Sequence, residues 1–260
     1  MNKLKVIQLL PELNVGGVER GTCDFSNALV KNGHKSVVIS NGGLYEKDII
    51  NHGGKHINLP IHKKSLFSLL LSKKLKNIYE EEKPDVVHIR SRMPAWINYY
   101  AFKKLSNKPL LISTFHGLYS TPTYSQVMSK VDHMIAISKT VKSYIINTYK
   151  VAESKITTIP RGCDIDYFNK ELLNNDWINS WYSEYPQTKD KVILTLPTRI
   201  SKWKGLDSFL ELISKLDSKK YHGLVVGPTS STKEKYFNSL KNKAKDLGIT
   251  KNITFTGSRS

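Results

Sequence analysis

The sequence predicts an α/β protein: a doubly wound parallel-sheet domain followed by the first part of a second domain of the same kind. Three observations carry this. Short β-branched or leucine-rich runs alternate with longer amphipathic ones along most of the 260 residues. The alternation weakens between Cys163 and Asp190 and then restarts. Gly33 falls where the first helix would need a left-handed cap.

In chain order, strands are expected at 6–10, 36–40, 85–89, 110–114, 134–137 and 156–159. Helices are expected at 18–32, 65–82, 94–105, 124–130 and 139–149. These form an N-terminal domain over 1–185 with a connecting segment at 163–190, where Trp177, Trp181, Tyr182 and Tyr185 sit among Asn, Asp and Ser. Strands at 192–196, 223–226 and 253–256, with helices at 206–216 and 232–247, then make an incomplete C-terminal domain over 191–260. Such a three-stranded sheet leaves an edge in want of partners. Strict βα alternation places the ligand crevice beyond the carboxyl ends of the strands, so functional residues are sought just after each strand.

Composition narrows the class. With 39% hydrophobic and 10% aromatic residues the chain can build a core and is not wholesale disordered. Forty Lys and Arg against 22 Asp and Glu give +18, which favours phosphorylated substrates, acidic lipid or nucleic acid. Richness in Lys, Asn and Ile throughout leaves simple solubility open as the reason. Two cysteines, Cys23 and Cys163, make neither a disulfide framework nor a zinc spacing and point to a reducing compartment. The apolar start Val6–Leu10 ends at Pro11, before a signal peptide could develop, and no run approaches the roughly 18 residues of a spanning helix. The expected location is cytoplasmic, with a peripheral place on the inner face of the cytoplasmic membrane left open. No short repeat or low-complexity segment is visible.

At the first βα junction, Gly16 and Gly17 open a helix. There the backbone can approach a phosphate or sugar, and the helix end offers unpaired N–H groups. The adjacent glycines match neither the GxGxxG fingerprint nor a Walker loop, so alone they fit a structural turn equally well. Later junctions make the pattern specific. Gly16-Gly17-Val18-Glu19-Arg20, Lys83-Pro84-Asp85-Val86-Val87-His88, Ser113-Thr114-Phe115-His116-Gly117, Ile159-Pro160-Arg161-Gly162-Cys163-Asp164 and Arg199-Ile200-Ser201-Lys202-Trp203-Lys204-Gly205 follow in that order. Together they resemble the retaining family 4 glycosyltransferases of GT-B fold, including bacterial cell-envelope and lipopolysaccharide enzymes, over essentially the whole chain.

The resemblance implies roles. Gly16 and Gly17 match the loop that approaches the donor's phosphate and transferred sugar. His116 matches a catalytic-site histidine near that sugar, and Arg199 and Lys204 match the pair that holds the donor diphosphate. Breaking a sugar–phosphate bond builds charge on the leaving diphosphate, which preorganised cations stabilise. Glu19 and Arg20, and Ser91 and Arg92 after the strand ending at Ile89, are candidates for the acceptor. Each has an ordinary alternative: a core imidazole for His116, solvated surface cations for Arg92, Arg199 and Lys204, and an exposed first helical turn for Glu19 and Arg20. Arg161 stands where the wider family commonly has Asn.

The resemblance also implies a nucleotide-diphosphate sugar as donor, a saccharide or lipid-linked acceptor, no cofactor and no metal. Asp164-Ile165-Asp166 has the DxD form of a metal–diphosphate motif, but it falls where the family has a connecting turn. The basic, amphipathic stretch 62–76 fits an anionic membrane surface through Leu66, Phe67 and Leu70, or equally a sheet-packing helix with a lysine face. Family 4 enzymes carry two glutamates separated by seven residues late in the second domain. No glutamate here has another eight positions on, so the chain as written is expected to be a fragment that binds donor weakly and turns over poorly or not at all. Competing readings are a GT-B sugar-nucleotide epimerase or hydrolase, separable by product stereochemistry, and a basic nucleic-acid-binding module, for which no recognised motif is present. The donor's sugar and base, and the acceptor, are not legible.

Overall fold

The computed structural model describes residues 3–163, 165–166 and 168–259, and the chain divides into two compact units, Met1–Gly162 and Cys163–Ser260. The connecting segment 163–190 therefore clusters with the second unit, whereas the sequence reading attached it to the first. Its side chains explain this. Gln187 donates to Thr254 at 2.9 Å, Thr188 is buried, and Arg259 reaches Glu184 and Tyr185.

The first unit runs β1 (Lys5–Leu9), α1 (Gly17–Lys31), β2 (Lys35–Ser40), α2 (Glu46–Asn51), β3 (Lys55–Asn58), α3 (Leu71–Glu82), β4 (Val86–Ile89), α4 (Arg92–Phe102), β5 (Leu110–Phe115), α5 (Pro122–Ser125), β6 (His133–Ala136), α6 (Lys139–Tyr149) and β7 (Ile156–Thr158). Its seven strands lie in the order β3-β2-β1-β4-β5-β6-β7, and all their pairings are parallel. The central strands are covered on both faces, which is why they read as continuous apolar runs: Ile7, Leu9, Val87, Ile89 and Met134 are all buried. The order reverses at β1, which pairs with β2 on one side and β4 on the other, so the crevice should open past the ends of β1 and β4. α1 buries Thr22, Cys23, Ser26 and Leu29, and Gly33 ends it at φ 80°, the left-handed turn the sequence predicts.

Three local expectations change. β3 and the short α2 have no counterpart among the expected elements, because four residues of Lys-His-Ile-Asn at a sheet edge carry almost no apolar signal. The single helix expected over 65–82 is instead a 3-10 turn, Leu66–Leu70, leading into α3. There Ser65 Oγ accepts from the Phe67 amide and Ser68 Oγ donates to the Lys63 carbonyl, local bonds that compete with α-helical ones. Leu75 and Tyr79 of α3 are buried, while Leu66, Phe67 and Leu70 are 84%, 82% and 74% exposed. Likewise the stretch 124–130 splits between α5 and a 3-10 turn at Gln126–Ser129.

The second unit holds α7 (Asn175–Glu184), β8 (Val192–Pro197), α8 (Leu206–Ser214), β9 (Tyr221–Val226), α9 (Glu234–Asp246) and β10 (Ile253–Gly257). Its strands lie in the order β10-β9-β8 and pair in parallel. Leu206, Leu210 and Ile213 of α8, and Leu240 and Ala244 of α9, recur at helical spacing and close a separate core with Val225 and Ile253.

Candidate functional site

In the first unit, four strand ends supply one polar cluster. After β1 the chain turns and Gly16 caps α1 in an extended conformation, φ 176°. A side chain at either position would have to displace the end of a flexible neighbour. A Cβ on Gly16 would collide with the Glu19 carboxylate, and one on Gly17 would lie 2.8 Å from Arg161 Nη1. Glu19 thus folds back over the helix N-terminus, where unpaired amides and the dipole favour a negative charge. Arg161, after β7, closes the other side by donating from Nη1 to the Gly17 carbonyl.

The same guanidinium donates from Nη2 to His116 Nδ1 at 2.8 Å. Arginine has no acceptor, so Nδ1 must carry the lone pair and the ring proton sits on Nε2. Nε2 is buried and has no partner among the described residues. Burial, then the charges of Arg90 and Arg161, push the His116 pKa down to about 3. His116 is therefore a neutral ring presenting a free N–H donor. With Nδ1 engaged by a cation, it is not placed to take up a proton.

Arg90 directly follows β4, at the point where the strand order reverses. It is 8% exposed. Its Nη1 donates to Gln8 Oε1 at 3.1 Å, and the buried Gln8 anchors itself by donating from Nε2 to the Thr22 carbonyl of α1 at 3.1 Å. Arg90 Nε has no partner among the described residues. Desolvation and then the charge of Arg161 lower the Arg90 pKa to about 10, against the opposing pull of Glu19, so the group stays cationic at neutral pH. Beneath the cluster, His88 is buried with Nε2 against Thr114 Oγ1 at 2.7 Å, and desolvation holds its pKa well below the ordinary value.

In the second unit, the turn after β8 is clamped to the end of β9. Thr198 donates its amide to Val226, and Ile200 donates to Pro228. Gly227 allows this close approach: it has φ 154°, and a Cβ there would collide with the Thr198 carbonyl. Arg199 is held exposed on this turn. A 3-10 turn, Lys202–Lys204, follows, and Gly205 at φ 73° starts α8. Lys204 Nζ lies 4.1 Å from the centroid of the Trp203 ring, which is 75% exposed. Among the described residues neither Arg199 nor Lys204 has an ion-pair partner. A cleft lined by Ile200, Gly227, Pro228, Thr229, Phe255 and Ser258 opens beside Arg199.

Residues 15–167 match the family model described as Glycosyltransferase Family 4, and residues 180–260 match Glycosyl transferases group 1. The chain belongs to glycosyltransferase family 4. A crystal structure of a glycosyltransferase from Rickettsia africae ESF-5 is 32% identical, with a TM-score of 0.85, over 100% of this chain and 69% of that one. Anabaena HepE, in a crystal structure described as a complex with UDP and glucose, is 15% identical with a TM-score of 0.80, covering 99% of this chain and 70% of its own. The lipopolysaccharide outer core galactosyltransferase WaaB, in apo form, is 17% identical with a TM-score of 0.63, covering 99% and 69%. Comparison with curated proteins returns no match. The pair of parallel α/β units is the GT-B fold that the motifs imply.

In this glycosyltransferase the residues singled out from sequence divide into groups. Gly16, Gly17, Glu19 and His116 come together in the first unit, and Arg199 and Lys204 share one turn of the second. Arg20 instead pairs with Asp24 at 2.8 Å beside the Tyr45 ring. Ser91 caps α4 without a side-chain bond. Arg92 lies 5.0 and 5.4 Å from the centroids of Tyr119 and Tyr124 and donates to Ser125 at 3.4 Å. Arg90, two positions earlier, is not among the residues the motifs mark, and Arg161 stands out in the sequence only as a departure from Asn. Arg90 did carry a signal, as the first residue past a strand. Asp164 of the DxD lies outside the described residues. Among those described, no three His, Cys, Asp or Glu are grouped to hold a metal ion.

Proposed function

We propose that this glycosyltransferase moves a hexose-type sugar, with retention of anomeric configuration and without a metal or cofactor, from a nucleoside diphosphate sugar to a cell-envelope saccharide or lipid-linked acceptor. The observation that carries the donor reading is the exposed Arg199 and half-buried Lys204 on one glycine-started helix entry, two cations with no carboxylate partner among the described residues. That is the chemistry a leaving diphosphate needs. HepE's UDP and glucose support the same donor class, and the adjoining cleft would take the base.

In this reading the acceptor hydroxyl oxygen bonds to the anomeric carbon as the carbon–phosphate oxygen bond breaks on the same face. The acceptor's proton passes to the leaving phosphate oxygen. His116 steadies the sugar as a donor through Nε2–H, consistent with a ring whose other nitrogen is occupied. Likeness to WaaB supports an envelope acceptor. The exposed Leu66, Phe67 and Leu70 beside Lys63 and Lys64 suit a peripheral place on an anionic membrane, on its cytoplasmic side. No helix among the described residues is long and apolar enough to cross a membrane.

The test is UDP binding by isothermal titration calorimetry. Arg199→Gln and Lys204→Gln should each weaken it by about 10- to 100-fold, the loss of one charge-assisted hydrogen bond. Unchanged affinity in both would remove the donor assignment. Proton NMR of products from UDP-glucose then separates the chemistries: a retained glycosidic linkage supports transfer, while epimerised or free sugar without transfer supports an epimerase or hydrolase.

A further inference from the structure

We propose that Arg90 and Arg161 of the first unit bind an acidic group, phosphate or carboxylate, on the acceptor. The inference rests on the transferase and donor readings proposed above. Arg90 is nine-tenths buried and cationic, with its Nε unpartnered. Among the described residues no carboxylate lies within ion-pair distance of either guanidinium. The two converge nonetheless: a Cβ on Gly21 would lie 3.4 Å from Arg90 Nη2 and 4.0 Å from Arg161 Nη1.

Setting the guanidinium of the exposed Arg161 beside the desolvated charge of Arg90 is costly unless an anion joins them. The buried groups of this cluster that lack a partner among the described residues, Arg90 Nε and the Nε2–H of His116, are both donors, and Gln8 fixes Arg90 by giving up its own acceptor oxygen. Among the described residues Glu19 supplies the negative charge, and its carboxylate lies folded over Gly16, outside ion-pair distance of both guanidiniums. A cluster whose unpartnered groups are donors is complementary to an oxyanion. If Arg199 and Lys204 of the second unit take the donor's diphosphate, as proposed above, the first-unit pair is left for a second anion.

Binding to the full chain, read by titration calorimetry, tests this without turnover. The acceptor-side probes are glucose 6-phosphate and glucuronate, with neutral glucose as control, and UDP is the donor-side probe. Glucose 6-phosphate or glucuronate should bind more tightly than glucose and weaken as salt rises. Which of the two binds better identifies the acidic group. Arg161→Gln, at an exposed position, should weaken the acidic sugar at least about tenfold while leaving UDP within about twofold. Arg90→Lys, which keeps the charge in place, should weaken it less than Arg161→Gln. Arg199→Gln should do the reverse, weakening UDP and sparing the acidic sugar. If neither acidic sugar outbinds glucose, or Arg161→Gln leaves their binding unchanged, the proposal is wrong. If Arg161→Gln weakens UDP as much as the acidic sugar, the anion belongs to the donor and the proposal also fails. Failure of UDP to bind the unaltered chain would instead overturn the donor reading and leave the acidic-sugar result standing.

Discussion

Replacing Gln8 by Leu should expose how much the buried Gln8–Arg90 bond matters. Gln8 is fully buried on β1, and among the described residues its Oε1 is the one acceptor bonded to Arg90, whose Nε already lacks a partner. Leucine nearly conserves volume, so the cavity contribution is small. What is lost is a hydrogen bond to a charged group, about 1.5–3 kcal/mol, the bond from Gln8 Nε2 to the Thr22 carbonyl, and the cost of leaving Nη1 buried and unsatisfied. The single variant should therefore lose about 2–4 kcal/mol of stability. Removing both partners, as in Gln8→Leu with Arg90→Met, leaves neither group stranded and should cost less than the two single changes together, with a coupling of about 2 kcal/mol. Urea unfolding followed by circular dichroism gives the energies. Hydrogen exchange at β1 and β4 amides shows that the loss falls in the first unit. A Gln8→Leu cost below about 0.5 kcal/mol, or strict additivity in the double variant, would refute the reasoning.

Three further outcomes are expected. His116 should remain neutral with its proton on Nε2 when titrated by nitrogen-15 NMR down to pH 5, and titration near 6.5 would contradict its enclosure by two arginines. Because its folded pKa is depressed to about 3, the unfolded chain takes up the proton first. Stability that is complete above about pH 6.5 is then lost as pH falls towards 3, by at most about 1.4 kcal/mol per pH unit, and His116→Gln should flatten that slope in urea melts. Gly227→Ala forces a side chain into the Thr198 carbonyl and should destabilise the second unit by more than about 1 kcal/mol while weakening UDP binding through Arg199; an unchanged melt would show that the turn can relax. Changing Leu66, Phe67 and Leu70 together to Ser should abolish sedimentation with vesicles rich in phosphatidylglycerol and leave the urea midpoint unchanged, since all three are exposed; equal sedimentation would place any membrane contact elsewhere.

Most strands and helices were legible because each buries an apolar face or stripe against the sheet, and that periodicity survives in sequence. β3 was not, since an edge strand of four residues needs little apolar content. The break between Leu70 and Leu71 was invisible for a related reason: the apolar spacing continues through it, and only the hydroxyls of Ser65 and Ser68 divert the backbone. At the site, motif position was enough to bring His116, Gly17, Arg199 and Lys204 forward. Arg20 and Arg92 were equally plausible as strings of letters, yet Asp24 occupies one and Tyr119, Tyr124 and Ser125 occupy the other. Sequence gives no view of partners that fold beside a residue from 27 or 33 positions away, as Tyr119 and Ser125 do for Arg92. For Arg90, burial and the lack of a carboxylate within ion-pair distance among the described residues exist only in three dimensions.

The bond from Arg161 to Gly17 joins residues 144 positions apart, and the same side chain holds His116 across 45. During synthesis neither contact can exist until the seventh strand has emerged and docked, so this cluster is among the last features of the first unit to form. Closing so long a loop adds little to the equilibrium cost but much to the time taken. The cluster therefore certifies completion: a molecule that seats there recognises only a first unit whose strands are all in place, and by binding that state alone it would shift the population away from partly assembled forms.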